Sequence, residues 1–205
     1  MRVRTQARRD AIVAEAAKLF EESGYEGASM TELSKRLGGS KATLYRYFPS
    51  KESLLVAVVQ AVATSHLTEA VNGFTQDTRG VFDLKEALQR FGEKMLAVMN
   101  NDRRATAIYR VVIAESGRSP VGQLFYQSGP SECIAAISSV LGEAMDRGEL
   151  RRADPRVAAL QFTSLLTAET EMRIYQQEPP AITDAQIGEM VVRAVEQFLF
   201  GASPR

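Results

Sequence analysis

Between Ser29 and Lys51 the sequence reads SMTELSKRLGGSKATLYRYFPSK, and its later half gathers hydroxyls, phenols and cations without one carboxylate. On a helix from Lys41 to Tyr47, Leu44 and Phe48 lie four apart and pack inward. Lys41, Thr43, Tyr45, Arg46 and Tyr47 then spread over the outer sides. Cations and hydroxyls of this kind meet phosphates and base edges in a duplex groove, where a carboxylate would be repelled by the backbone. A helical hairpin with a glycine turn also occurs in many all-helical domains, so the face gains meaning only with its surroundings. Catalysis is poorly provided for. The chain has one histidine, His66, and one cysteine, Cys133, so a His-Cys metal cluster or a paired-histidine relay is excluded. It has no phosphate-cradling glycine loop or dinucleotide fingerprint. No catalytic residue, metal or cofactor is expected.

Local signals position that face. Ser29 and Glu32 have capping-box spacing, opening a helix at Met30 with Leu33 and Leu37 on its apolar side. Gly38 ends it, and Gly39 and Ser40 supply a turn and a new N-cap. Upstream, Gln6 to Ser23 carries Ile12, Ala16, Leu19 and Phe20 at helical spacing, with Gly24 as C-cap. The arm from Met1 to Thr5, bearing Arg2 and Arg4, reads as a flexible end or a phosphate contact. Downstream, Pro49-Ser50 stops one helix and starts another, whose apolar residues Leu54, Leu55, Val58, Val59 and Val62 lead toward Asn72. Twenty helical residues span about 30 Å, enough for a lever. Phe74 to Val81 reads as a loop.

From Val81 to Gly201 the pattern is helical throughout, without strand alternation. The fold class is therefore all-α: an N-terminal three-helix head over residues 1–50, a connecting helix over 51–72, and a C-terminal helical domain over 73–205. Asp83 opens a helix with Leu84, Leu88, Phe91, Met95 and Met99 inside. Others are expected from Arg103 to Ser116, around Leu124 to Tyr126, from Ser131 to before Gly148, from Pro155 to Gln176 and from Thr183 onward. The helix to Gln176 has two apolar faces: Ala158, Phe162, Leu165 and Leu166 on one, and Val157, Leu160, Ala168, Met172 and Tyr175 on the other. A surface helix needs only one, so the second suggests either a central position or a partner chain. Met95, Met99, Tyr109, Phe125, Tyr126, Phe162 and Met172 are core residues or the lining of an adaptable apolar cavity. Glu169 stands on that helix near Leu165 and Leu166, where a carboxylate needs an ion-pair partner, a proton or a ligand.

Composition agrees. The 205 residues are 45% hydrophobic, with 25 basic side chains balancing 25 acidic ones. Up to Gln60 there are ten Lys and Arg against seven Asp and Glu, a net of +3 that the remainder offsets. Positive charge is thus biased to the segment with the acid-free face. No run has the length of a membrane span, and the N-terminus lacks the apolar core of a signal peptide, so a cytoplasmic protein is expected. Cys133, set among Ile134, Ile137, Val140 and Leu141, reads as a buried structural thiol.

Ile12 to Phe20, Gly24-Tyr25, the Ser29 to Phe48 hairpin and the run Leu44-Tyr45, Phe48, Lys51 and Leu54 together resemble the N-terminal domain of the TetR family of bacterial transcription regulators. The departure is Gly39, where that family commonly has a small apolar residue packed in the turn. Ala107 to Tyr175, with Tyr109 to Glu115, Gly129-Pro130 and Gly148 to Pro155, resembles the ligand-binding domain of the AefR-like subgroup. By this resemblance Lys41 and Thr43 would read bases, and Arg46 and Tyr47 would reach bases or phosphates. Tyr45 and Lys51 would clamp phosphates, and Thr31 or Ser40 would add a hydroxyl or amide. The resemblance further implies a homodimer through the helices at 155–176 and 184–200, a palindromic double-stranded DNA operator, and release of a repressor by a small-molecule effector. That effector would bind near Met95, Met99, Tyr109, Phe125, Phe162, Glu169 and Met172. The other reading is a helical small-molecule-binding or interaction protein without operator binding.

Overall fold

The computed structural model of the chain describes residues 5–64 and 83–204. Arg2, Arg4, His66, the expected helix beyond Thr64 and the Phe74 to Val81 loop lie outside the described residues. Among those described there is helix and turn but no strand. In chain order the helices are α1 (Gln6–Gly27), α2 (Met30–Arg36), α3 (Lys41–Tyr47), α4 (Lys51–Val59, widening into a π-turn over Gln60–Thr64), α5 (Leu84–Asn101) and α6 (Arg103–Glu115). They continue with α7 (Val121–Gln127), α8 (Pro130–Asp146), α9 (Pro155–Thr167), a 3₁₀ turn at Glu171–Tyr175, and α10 (Asp184–Ala202).

The starts of these helices obey the local chemistry. Ser29, Ser40 and Ser50 each cap the following helix through the hydroxyl, at 3.1, 3.2 and 3.1 Å from the backbone amides of Glu32, Thr43 and Ser53. Asp83 and Asp154 cap α5 and α9 through a carboxylate oxygen, and Thr183 caps α10 through its hydroxyl. Such a cap contributes about 1 kcal/mol. The box expected at Ser29 is only half formed, because the Glu32 carboxylate turns to Arg36, 3.3 Å away, instead of reaching back. The first helix also differs from expectation. Gly24 sits at φ 66°, a conformation that breaks the helix as its cap should, but a further helical turn follows to Gly27.

The described residues form two compact units. One joins residues 5–64 to Arg104–Ser128, and the other joins residues 83–103 to Gly129 onward. The expected division at residues 50 and 72 runs along the chain, whereas these units each combine two stretches. In the first unit Ile12, Ala16 and Phe20 of α1 pack with Leu33, Leu44, Leu54, Leu55 and Val58, and Ile108, Val112 and Val121 complete the same core. An ion pair of 2.8 Å between Arg104 and Glu21 accompanies that packing. The second unit is built on Leu88, Phe91, Leu96, Ile137, Leu141, Phe162, Leu166, Val191 and Phe198. A Cβ on Gly92 would stand 2.8 Å from Leu166 and 2.9 Å from Val191, so the glycine lets α5 lie close against α9 and α10.

The helix expected from Pro155 to Gln176 ends instead at Thr167. The hydroxyl of Thr163 bonds the carbonyl of Ala159 at 3.0 Å, Thr167 bonds that of Thr163 at 3.2 Å, and Thr170 bonds that of Thr167 at 3.3 Å. Side chains that bond back to the helix in this way compete with its own ladder, and the chain leaves α geometry where they cluster. The first apolar face of α9 is in the core, but Val157 and Leu160 of the second are 47% and 43% exposed. No helix of the described residues is long and apolar enough to cross a membrane.

Candidate nucleic-acid interface

α2 packs on α1 through Leu33, and ion pairs flank that contact. The Arg36 guanidinium lies 2.8 Å from Glu22 and 3.8 Å from Glu15 of α1, and 3.3 Å from Glu32 of its own helix. Its hydrogen bond to Glu22 lowers that carboxyl's pKa. α2 closes at Leu37, Gly38 turns the chain at φ 60°, and the Gly39 amide bonds back to the Ser34 carbonyl at 3.0 Å. Ser40 then starts α3, its hydroxyl 3.0 Å from that of Thr43. Leu44 and Phe48 are buried at 3% exposure each and root α3 in the head.

What remains outside is the expected set. Lys41, Tyr45 and Arg46 are exposed, Thr43 and Tyr47 are half-buried at the flanks, and Ser40 and Thr31 are exposed at the starts of α3 and α2. No acidic residue occurs from Leu33 through Lys51. The result is a short, rigidly rooted helix that presents an acid-free array of an ammonium, a guanidinium, hydroxyls and phenols. Such an array offers donors to phosphate oxygens and to base edges.

Lys51 does not join it. Its ammonium donates to the carbonyls of Tyr25 at 2.8 Å and Ala28 at 3.1 Å, and lies 4.1 Å from the centre of the Tyr25 ring. In this position the residue expected to clamp phosphate ties the start of α4 to the end of α1, sharing the Tyr25 carbonyl with the Ala28 amide. Burial of Tyr25, followed by the Glu52 carboxylate, raises the phenol's pKa.

Three groups in and before the first turn of α1 also hold the turn and α3, and sequence patterning missed them. The Thr5 amide donates to the Tyr47 hydroxyl at 3.2 Å, an Arg8 nitrogen donates to the Leu37 carbonyl at 3.2 Å, and the Arg9 guanidinium lies 5.2 Å from the centre of the Phe48 ring. The only forewarning was that Arg8 and Arg9 sit off the apolar stripe of α1.

The residues expected around an effector are divided between the two units. Tyr109 and Phe125 pair at 5.6 Å between ring centres in the first unit. In the second, Met95 is buried, and Phe162 packs against Phe198 and Phe91 at 5.3 and 6.3 Å as plain core. Met99 is 39% exposed and Met172 is 69% exposed. Glu169 is bound by Arg193 of α10 through two hydrogen bonds of 2.9 and 2.7 Å, which lower its pKa. The early end of α9 carries Glu169 off the apolar face and onto the surface beside Arg193. Cys133 is buried, and burial pushes its thiol up to about 11. An open apolar groove of about 550 Å³ lies elsewhere in the second unit, lined by Val157, Leu160, Gln161 and Ser164 of α9 and by Gln197 and Phe198 of α10.

Comparison with known proteins adds identity to this geometry. Residues 12–58 match the family described as bacterial regulatory proteins, tetR family. Residues 86–201 match the AefR-like transcriptional repressor C-terminal domain. A tetR-family transcriptional regulator from Mesorhizobium loti MAFF303099 is similar in structure, with a TM-score of 0.81 and 26% identity over 98% of this chain and 100% of that one. The flavonoid-responsive regulator FrrA is 32% identical with a TM-score of 0.77, again over 98% of this chain and 100% of its own. The HTH-type transcriptional regulator EthR of Mycolicibacterium smegmatis is 24% identical over 96% of this chain and 88% of EthR. The transcriptional activator FasR of the same species is 31% identical over 51% of this chain, a match that spans 45% of FasR.

Proposed function

The chain belongs to the TetR family of bacterial regulatory proteins, and we propose that it works in the cytoplasm as a homodimeric repressor that a small molecule releases from a palindromic operator. The observation that carries this is the acid-free outer face of α3, rooted by Leu44 and Phe48 and capped by Ser40. In this reading Lys41 and Thr43 meet base edges, Arg46 and Tyr47 reach bases or phosphates, and Tyr45 contacts phosphate, with Thr31 and Ser40 beside them. Lys51 supports the head from within.

The dimer joins α9 and α10 to their copies as a four-helix seam. Support comes from Val157 and Leu160, exposed beside the apolar groove, and from Phe200, 85% exposed on α10. A twofold axis through that seam would present two copies of α3 to successive turns of a duplex, about 34 Å apart. Effector binding in the C-terminal helical part would shift α4, whose π-turn at Gln60–Thr64 is a departure from α geometry often found where helices do work. A coupling of about 1–3 kcal/mol would weaken the operator complex roughly 5- to 150-fold. FrrA is described as flavonoid-responsive, so planar polyphenols head the effector screen.

The test is fluorescence anisotropy of the purified chain on DNA from upstream of its own gene, across a salt series, with scrambled duplex as competitor. Preferential binding with a steep salt slope supports the reading. Equal, weak binding to both duplexes would favour a helical small-molecule-binding or interaction protein without an operator.

A further inference from the structure

Gly39 has no conformational reason to be glycine. Of the turn's two glycines only Gly38 has a positive φ, so the backbone at position 39 would accept a side chain. Its missing Cβ instead marks a space taken by another residue. A Cβ built there would stand 3.3 Å from an Nη of Arg8, close enough that one of them must give by a few tenths of an ångström. The same guanidinium nitrogen donates to the carbonyl of Leu37, the residue that ends α2. A cation at a helix C-terminus satisfies an orphan carbonyl and complements the negative end of the helix dipole.

We propose that Arg8 is a positioning residue for α3, its guanidinium replacing from α1 the side chain that the turn lacks at Gly39. α2 and α3 are each seven residues long, are connected through this turn and share the core that buries Leu33 and Leu44. The angle between them is the angle at which α3 enters a groove. With no side chain at position 39 to fix it, the tie from Arg8 to Leu37 does so, seconded by the Thr5 amide on Tyr47 at the far end of α3. In this proposal Arg8 acts through the turn and not on the DNA, with one guanidinium nitrogen on the Leu37 carbonyl.

This rests on operator binding by the head, and the experiment separates the two. Arg8→Ala, Gly39→Val and the double variant are compared with the natural chain for operator and scrambled-duplex affinity, salt slope and melting temperature. Arg8→Ala should weaken operator binding about tenfold, the scale set by one hydrogen bond from a charged donor, with an unchanged salt slope. Gly39→Val alone should also weaken it by displacing Arg8. The double variant should recover most of the loss, because valine can then occupy the vacated space. An apolar side chain cannot replace a phosphate contact, so recovery excludes a direct DNA role for Arg8. A double variant as weak as Arg8→Ala or weaker, or a salt slope reduced by about 0.9 in Arg8→Ala, would overturn the proposal. If the natural chain itself shows no operator preference, the regulator reading fails, while recovery of melting temperature in the double variant still judges the Arg8–Gly39 pairing. Should Arg8→Ala not fold, Gly39→Ala adds the Cβ alone, and an operator affinity equal to that of the natural chain would count against the proposal.

Discussion

The ammonium of Lys51 lies 4.1 Å from the centre of the Tyr25 ring and, through the Tyr25 carbonyl 2.8 Å away, is bound to the same residue twice. A second carbonyl, that of Ala28, is 3.1 Å from it. Lys51→Met keeps most of the stem and removes the charge, leaving two half-buried carbonyls without this donor. The expected loss is about 1.5–3 kcal/mol, read as a fall of about 2–4 °C in melting temperature per kcal/mol for a chain of this size. The salt slope of DNA binding should stay the same. A slope reduced by about 0.9 with an unchanged melting temperature would return Lys51 to the phosphate backbone.

Arg46 and Thr43 should separate by role. Arg46→Ala is expected to weaken binding to every duplex and to flatten the salt slope. Thr43→Ala should leave the slope alone and relax preference at particular base pairs by about 1–3 kcal/mol. Binding to a panel of single-base operator variants at two salt concentrations reads both. Equal effects of the two changes on every sequence would contradict these assignments.

Leu160 is 43% exposed within one chain, so Leu160→Asp should cost an isolated chain little. In the proposed seam it places a charge in an apolar contact. Sedimentation velocity should then show a monomer, with operator affinity falling steeply because the two copies of α3 are no longer linked. A variant that still sediments as a dimer would move the seam away from α9.

The Glu169–Arg193 pair gives a small, signed pH effect. The folded pKa of Glu169 is lowered from 4.5 by its hydrogen bonds to Arg193, so its stabilising contribution is present above that value and disappears as pH falls through the folded pKa. Both partners are about half exposed, at 53% and 43%, which keeps the contribution under about 1 kcal/mol. Glu169→Gln should therefore melt slightly below the natural chain at pH 7 and together with it at the acid end. A gap that widens toward acid would contradict the assignment.

How far the sequence could be read follows from how far each interaction reaches. Ser29, Ser40, Ser50, Asp83, Asp154 and Thr183 cap helices within three residues of themselves, and all were legible as starts. The α3 face was legible for the same reason, since a seven-residue helix with Leu44 and Phe48 inside leaves few choices for the rest. Lys51 showed only its charge, because a lysine stem can turn toward solvent or toward the fold, and the carbonyls its ammonium meets are 26 and 23 positions away. Glu169 was misplaced because a string of threonines, each tolerable singly, together end the helix at Thr167. Arg8 showed only that it sits off the apolar stripe of α1, since the role proposed for it depends on what Gly39 lacks.

Ile108, Val112 and Val121 fill the same core as Ile12, Leu44 and Leu55, although more than forty residues separate them from α4 in the sequence. The head is therefore not a cassette that can be cut out at its last contiguous helix. A chimaera that transplants residues 1–60 onto another regulator's body leaves that core open on one side, unless the new body offers apolar groups of similar volume in the same places. Recombination between relatives faces the same restriction: exchanges that carry the Arg104–Ser128 stretch along with the head preserve a packed unit, and those that split them must repair it.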